Sequence, residues 1–118
     1  MIKICVGNLL TANAEALVNT VNLQGVMGKG IALQFKKAFP EMFTSYKRAC
    51  EAGEIAIGKM HVFSRNTLIN PKFIINFPTK ENWRHLSKLA YIEKGIFDLI
   101  QIIKNYKIHT IAVPPLGC

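Results

Sequence analysis

Apolar residues recur along the chain with two different periods, and the switching between them predicts strands interleaved with helices. Ile2-Lys3-Ile4-Cys5-Val6 alternates as a strand does and is closed by Gly7-Asn8, and Ala16-Leu17-Val18-Asn19 reads as a second short strand. From Ile31 the apolar positions 31, 32, 35, 38 and 39 share one helical face, and Pro40 ends that helix because the residue before a proline avoids the helical region. Met42, Phe43, Tyr46, Ala49 and Cys50 form the stripe of a second helix, with Pro40 suited to its first turn and Gly53 to its end. Met60-His61-Val62-Phe63 and Phe73-Ile74-Ile75-Asn76-Phe77 predict two more strands, with Asn70-Pro71 as a turn between them. Leu89, Ile92, Ile96, Leu99, Ile103 and Tyr106 step by three or four, predicting a helix of about five turns laid against a sheet, with Gly95 a local weakness. Ile111-Ala112-Val113 closes the series as a short buried strand. Strands alternating with helices predict a three-layer α/β/α domain with a mixed central sheet, occupying residues 1–118 as one unit.

Ligands in open α/β sheets bind at the carboxyl ends of the strands. Four segments follow predicted strands and converge there: Gly7-Asn8-Leu9-Leu10, the run from Asn19 to Ala32, Asn76 to Lys80, and Pro114 to Cys118. The second contains Gly25-Val26-Met27-Gly28-Lys29-Gly30, between a strand pattern and a helix pattern. Glycines there let the backbone approach a ligand, and the amides opening the next helix make an anion site suited to a diphosphate. The spacing matches neither the dinucleotide fingerprint nor the P-loop, and an ordinary strand-to-helix turn also uses glycine. Asn19 and Asn22 are suited equally to a ligand and to closing a turn on the backbone. Lys80 reads by default as a solvated loop lysine, and Trp83 either packs against the following helix or stacks on a base.

Charge adds an expectation about partners. The net charge of +8, from 15 Lys+Arg against 7 Asp+Glu, favours an anionic partner without identifying it. Cys5, Cys50 and Cys118 show no metal-binding spacing and read as reduced thiols, and the scattered His61, His85 and His109 suggest neither a metal site nor a catalytic histidine. No metal and no cofactor are therefore expected. No 18-residue apolar run is present, and Lys3 and Asn8 interrupt the apolar N-terminus, so a cytoplasmic location without membrane association is the expectation.

In combination and order, Gly7-Asn8-Leu9-Leu10, Ala16-Leu17-Val18-Asn19, Asn22, the loop from Gly25 to Ala32, Phe77-Pro78-Thr79-Lys80 and Pro114-Pro115-Leu116-Gly117-Cys118 resemble the macro domain family. Within it the chain is most similar to the branch of DNA ADP-ribosyl glycohydrolase antitoxins and to the related terminal ADP-ribose glycohydrolases. The specific marks are Gly-Val-Met-Gly-Lys-Gly-Ile-Ala before a Phe-Lys-Lys helix, and a lysine after Asn-Phe-Pro-Thr. The resemblance implies that Asn8 and Leu9 border the adenine, although many macro domains carry aspartate where Asn8 stands. It implies that Gly28, Lys29, Gly30 and Ile31 cradle the diphosphate, that Asn22 holds the distal ribose, and that Lys80 acts at its anomeric carbon. Asn19, Met27, Thr79, Pro114, Leu116, Gly117 and Cys118 complete the ADP-ribose site that the resemblance implies. In the family the Pro-Pro-Leu-Gly-Cys strand end opens a second phosphate loop, followed by another helix and strand. This chain stops at Cys118, so the expected fold lacks its C-terminal part.

A lysine suits that chemistry. Cleavage at an anomeric carbon commonly uses two carboxylates, and the predicted pocket segments offer only Glu81. A lysine amine with a lowered pKa can instead attack the sugar carbon. The implied activity is hydrolysis of ADP-ribose from modified single-stranded DNA, with a cognate ADP-ribosyltransferase toxin as partner. A non-catalytic ADP-ribose reader and an ADP-ribose 1″-phosphate phosphatase are the alternatives.

Overall fold

Strands and helices form where the two apolar periods place them. The computed structural model describes residues 3–5 and 9–116. Among these lie five strands, β1 (Lys3–Cys5), β2 (Ala16–Val21), β3 (His61–Ser64), β4 (Phe73–Pro78) and β5 (Thr110–Ala112), and three helices, α1 (Gly30–Ala38), α2 (Pro40–Glu51) and α3 (Leu89–Asn105). The sheet order is β1-β5-β2-β4-β3, with β3 antiparallel to β4 and every other pairing parallel. The sheet is therefore mixed, as the pattern predicts. Ile2, Val6 and the Gly7-Asn8 closure lie outside the described residues.

Alternation along β2 and β4 sorts the core into two layers. Leu17, Val21 and Ile74 pack with Phe35 of α1 and with Met42 and Tyr46 of α2, while Ala16, Val18, Ile75 and Phe77 pack with Leu99 of α3 on the opposite face. Both faces are covered, which is why these central strands read as near-continuous apolar runs. Each large side chain hidden this way contributes about 1.5–3 kcal/mol before entropic costs.

The face of α3 differs from the expected stripe. Ile92, Leu99, Ile102 and Ile103 turn to the sheet, while Leu89 is exposed and Ile96 is 37% exposed. Gly95 is buried, and a Cβ there would overlap the Phe77 ring. The glycine that the pattern marks as a weakness is what lets α3 lie close on β4. Tyr106 caps the helix and stacks on Phe73, with ring centroids 5.2 Å apart.

Candidate functional site

β2 and β4 are parallel neighbours with Val21 opposite Pro78, so the chain leaves both strands on the same edge of the sheet. From β2 it enters the glycine loop leading into α1, and from β4 it enters the segment 79–88 leading into α3. Between them lies a cleft of about 470 Å³, within the range of small-molecule sites. Asn22, Val26, Gly28, Lys29 and the first turn of α1 form one wall, and Thr79, Lys80, Trp83 and Ser87 the other.

The glycine loop is held by Asn22. Its Nδ2 donates to the Val26 carbonyl at 2.8 Å, and its Oδ1 accepts from the backbone amides of Gln24 at 2.9 Å and Val26 at 3.4 Å. From beneath, the Tyr46 hydroxyl donates to the Asn22 carbonyl at 2.7 Å and to its Oδ1 at 3.0 Å. Burial pushes the Tyr46 phenol far above its ordinary range, so it stays a proton donor. Gly30 has φ +63°, a left-handed conformation that favours glycine. Lys29 precedes it in an extended conformation, and among the described residues no side chain caps α1. The amides of Gly30, Ile31 and Ala32 thus open on the cleft without intrahelical partners, at the positive end of the helix dipole. Gly28 is exposed in this wall, and a Cβ there meets only Val26 at 3.6 Å.

The opposite wall is tied to the first. The Leu23 amide donates to the Glu81 carbonyl at 3.2 Å, and the Trp83 amide donates to Gln24 Oε1 at 3.2 Å. Buried Thr79 donates its amide to the Val21 carbonyl at 3.0 Å and accepts the Ser87 hydroxyl at 3.0 Å. Among the described residues no hydrogen bond or ion pair holds the Lys80 ammonium; the ion pair found there joins Lys72 to Glu15 on another part of the surface. The Glu81 carboxylate accepts the Tyr91 hydroxyl.

The structure brings Asn22, Gly28, Lys29, Gly30, Ile31, Thr79 and Lys80 to this cleft and separates other expected members from it. Asn19 does not line it. Its position in β2 points it to the α1/α2 side, fully buried, where its Nδ2 donates to Asn76 Oδ1 at 3.2 Å and approaches Met27 Sδ at 3.9 Å. Its Oδ1 has no partner among the described residues. Met27 and Leu9 are drawn into the same apolar core, where burial takes their large apolar surfaces out of water. Leu116 packs on the α3 side, and Pro114 is half-buried away from the cleft lining. Asn8, Gly117 and Cys118 lie outside the described residues. Thr20, Val21, Val26, Ala32 and Ser87 also line the cleft. The first two end β2, a place the strand-end rule marks; Ser87 belongs to a segment without periodicity.

A larger depression of about 740 Å³ lies between α2 and β3. His61 is on its wall and links to a buried polar chain: Asn76 Nδ2 donates to its Nδ1 at 3.0 Å, so Nε2 carries the proton and donates to Ser45 Oγ at 3.0 Å. Burial holds the His61 pKa below its ordinary value, partly offset by Glu54. This tautomer leaves no base facing the serine. Burial likewise raises the pKa of the free Cys50 thiol.

Comparison with known proteins places this geometry in a family. The Macro domain family model matches residues 18–118. A DNA ADP-ribosyl glycohydrolase of Mycobacterium tuberculosis is 62% identical over 94% of this chain, and one of Thermus aquaticus is 52% identical over 99%. The chain spans 32% of the length of each of these relatives. The solved macrodomain of Mycobacterium tuberculosis DarG superposes with a TM-score of 0.93 at 61% identity, covering 99% of this chain and 77% of that one. That of Thermus aquaticus DarG superposes with a TM-score of 0.94 at 52% identity, covering 100% and 78%. Thermosipho africanus DarTG in complex with ADP-ribose superposes with a TM-score of 0.88 at 30% identity, covering 99% of this chain and 33% of that one. With its parallel strand ends, its glycine loop before α1 and these likenesses along nearly its whole length, the chain belongs to the macro domain family.

Proposed function

We propose that the cleft binds ADP-ribose and that the chain hydrolyses it from modified single-stranded DNA, with Lys80 acting at the anomeric carbon. The observation that carries this reading is the opposition, across one cleft, of the uncapped α1 terminus behind Gly28-Lys29-Gly30 and a lysine free of any partner among the described residues. The first suits a diphosphate and the second an electrophilic sugar carbon. The names of the relatives, DNA ADP-ribosyl glycohydrolase, support the reaction class.

In this reading the Lys80 ammonium first gives a proton to water; the resulting amine attacks the anomeric carbon of the distal ribose, and the bonding pair of the base–sugar bond leaves with the base, which takes up a proton. Water then displaces the lysine and releases free ADP-ribose. Asn22 has one Nδ2 hydrogen beyond its loop bonds for a ribose hydroxyl. Its loop-closing role and a ligand role are therefore compatible. Asn8 is kept for the adenine end, and Gly117 and Cys118 for the far side of the phosphates, as the family resemblance implies. The relative that fuses a DNA ADP-ribosyl transferase to a glycohydrolase supports a cognate transferase toxin as partner. A DNA substrate accords with a cytoplasmic location; among the described residues no helix is long and apolar enough to cross a membrane.

Incubation with an ADP-ribosylated single-stranded oligonucleotide, followed by chromatography, tests the proposal. Free ADP-ribose and unmodified oligonucleotide are the expected products. Tight binding without release would assign a reader instead, and phosphate release from ADP-ribose 1″-phosphate would assign a phosphatase.

A further inference from the structure

Trp83 is the chain's only tryptophan, and it belongs to neither apolar core. It lies three residues beyond Lys80, lines the same cleft and remains 40% exposed. The indole is built into its place. Its backbone amide is anchored to Gln24 across the cleft, and the Asn82 side chain and carbonyl accept the amides of Arg84 at 2.9 Å and His85 at 3.0 Å. The Arg84 guanidinium sits over the ring at 4.9 Å and is not itself a lining residue of the cleft.

We propose that Trp83 and Arg84 read the DNA that carries the ADP-ribose: the indole stacks on the nucleobase at the scissile bond, and the guanidinium meets a flanking phosphate. This inference rests on the glycohydrolase reading for the position of the base. Beyond the anomeric carbon, a DNA substrate always presents a flat aromatic base. An aromatic platform beside the reacting carbon therefore suits nucleic acid, and is tolerant of sequence because every base has a π-face. The local charge agrees. Lys80, Arg84 and Lys88 stand in this segment with Glu81, whose carboxylate is engaged by Tyr91. Arginine is suited to meeting phosphate while stacked on an aromatic ring.

Because the chain has a single tryptophan, its fluorescence reports stacking directly. Titration with an unmodified single-stranded oligonucleotide at about 50 mM salt is expected to quench the emission, with affinity falling severalfold by about 200 mM. Arg84→Ala flattens that salt dependence. On an ADP-ribosylated oligonucleotide, Trp83→Ala is expected to lower kcat/KM about tenfold while ADP-ribose affinity measured by calorimetry stays within about twofold, and Trp83→Phe recovers most of the loss. Absence of quenching by both modified and unmodified oligonucleotides overturns the proposal, whether or not turnover occurs. Equal loss of ADP-ribose affinity in Trp83→Ala also overturns it, by moving the indole into the ADP-ribose site. Quenching without any release of ADP-ribose would refute the glycohydrolase reading and leave the stacking intact.

Discussion

The two depressions on this molecule differ in a way that volume alone reverses. The one between α2 and β3 is larger, about 740 Å³ against about 470 Å³, and holds a histidine, a serine and both signs of charge. Yet its histidine and serine are spent on each other: Ser45, His61 and Asn76 form a hydrogen-bonded chain whose protons point the wrong way for attack. The smaller cleft gathers groups that have no partner among the described residues, namely the opening amides of α1 and the Lys80 ammonium. The converging strand ends, and not the amount of empty space, are what the proposed binding mode uses.

Substitutions on the two walls of the cleft separate chemistry from binding. Lys80→Ala should give the largest effect, a loss of at least about 100-fold in turnover on modified DNA, with ADP-ribose affinity held within about tenfold, or 1.4 kcal/mol. Steady-state kinetics and calorimetry on the same preparation check this; turnover near that of the unsubstituted chain removes the lysine from the mechanism. Gly28→Val follows. Because a Cβ at Gly28 meets only Val26, the fold tolerates the side chain, which then occupies the space the diphosphate needs. ADP-ribose affinity should fall at least about tenfold with little change in Tm. Unchanged affinity would move the phosphates away from this loop.

These walls were legible to different degrees. Gly28-Lys29-Gly30 and Lys80 follow strands that stand out as near-continuous apolar runs, so the strand-end rule reaches them directly. Asn19 sits in the same run as Asn22, but one belongs to β2, where alternation turns it into the core, and the other lies just past its end. Strand boundaries decided that difference, and a pattern that ended β2 at Asn19 could not see it. Trp83 and Ser87 reach the cleft through cross-loop bonds to Gln24 and Thr79, contacts that no local spacing encodes. Gly95 was misread for a related reason, since its value lies in the Phe77 ring of another element.

The larger depression should respond to pH through His61. His61 is kept neutral by burial, so below its ordinary value of 6.5 the unfolded chain binds a proton that the folded chain refuses. Its contribution is intact above that pH and is lost as the pH falls, until the folded ring also takes the proton. Thermal melts between about pH 8 and 5 should show Tm declining on the acid side, and His61→Gln should remove that component. A Tm that rose on acidification through this range would contradict the burial of the neutral ring.

The contrast between the two depressions is tested most directly by titrating ADP-ribose into isotopically labelled protein and following the backbone amides by NMR. The account predicts that the shifts concentrate at Gly28, Gly30, Ile31 and Ala32, with Thr79 and Lys80 responding across the cleft. Shifts concentrated instead at Ser45, Arg48 and the strand from His61 to Phe63 would contradict it.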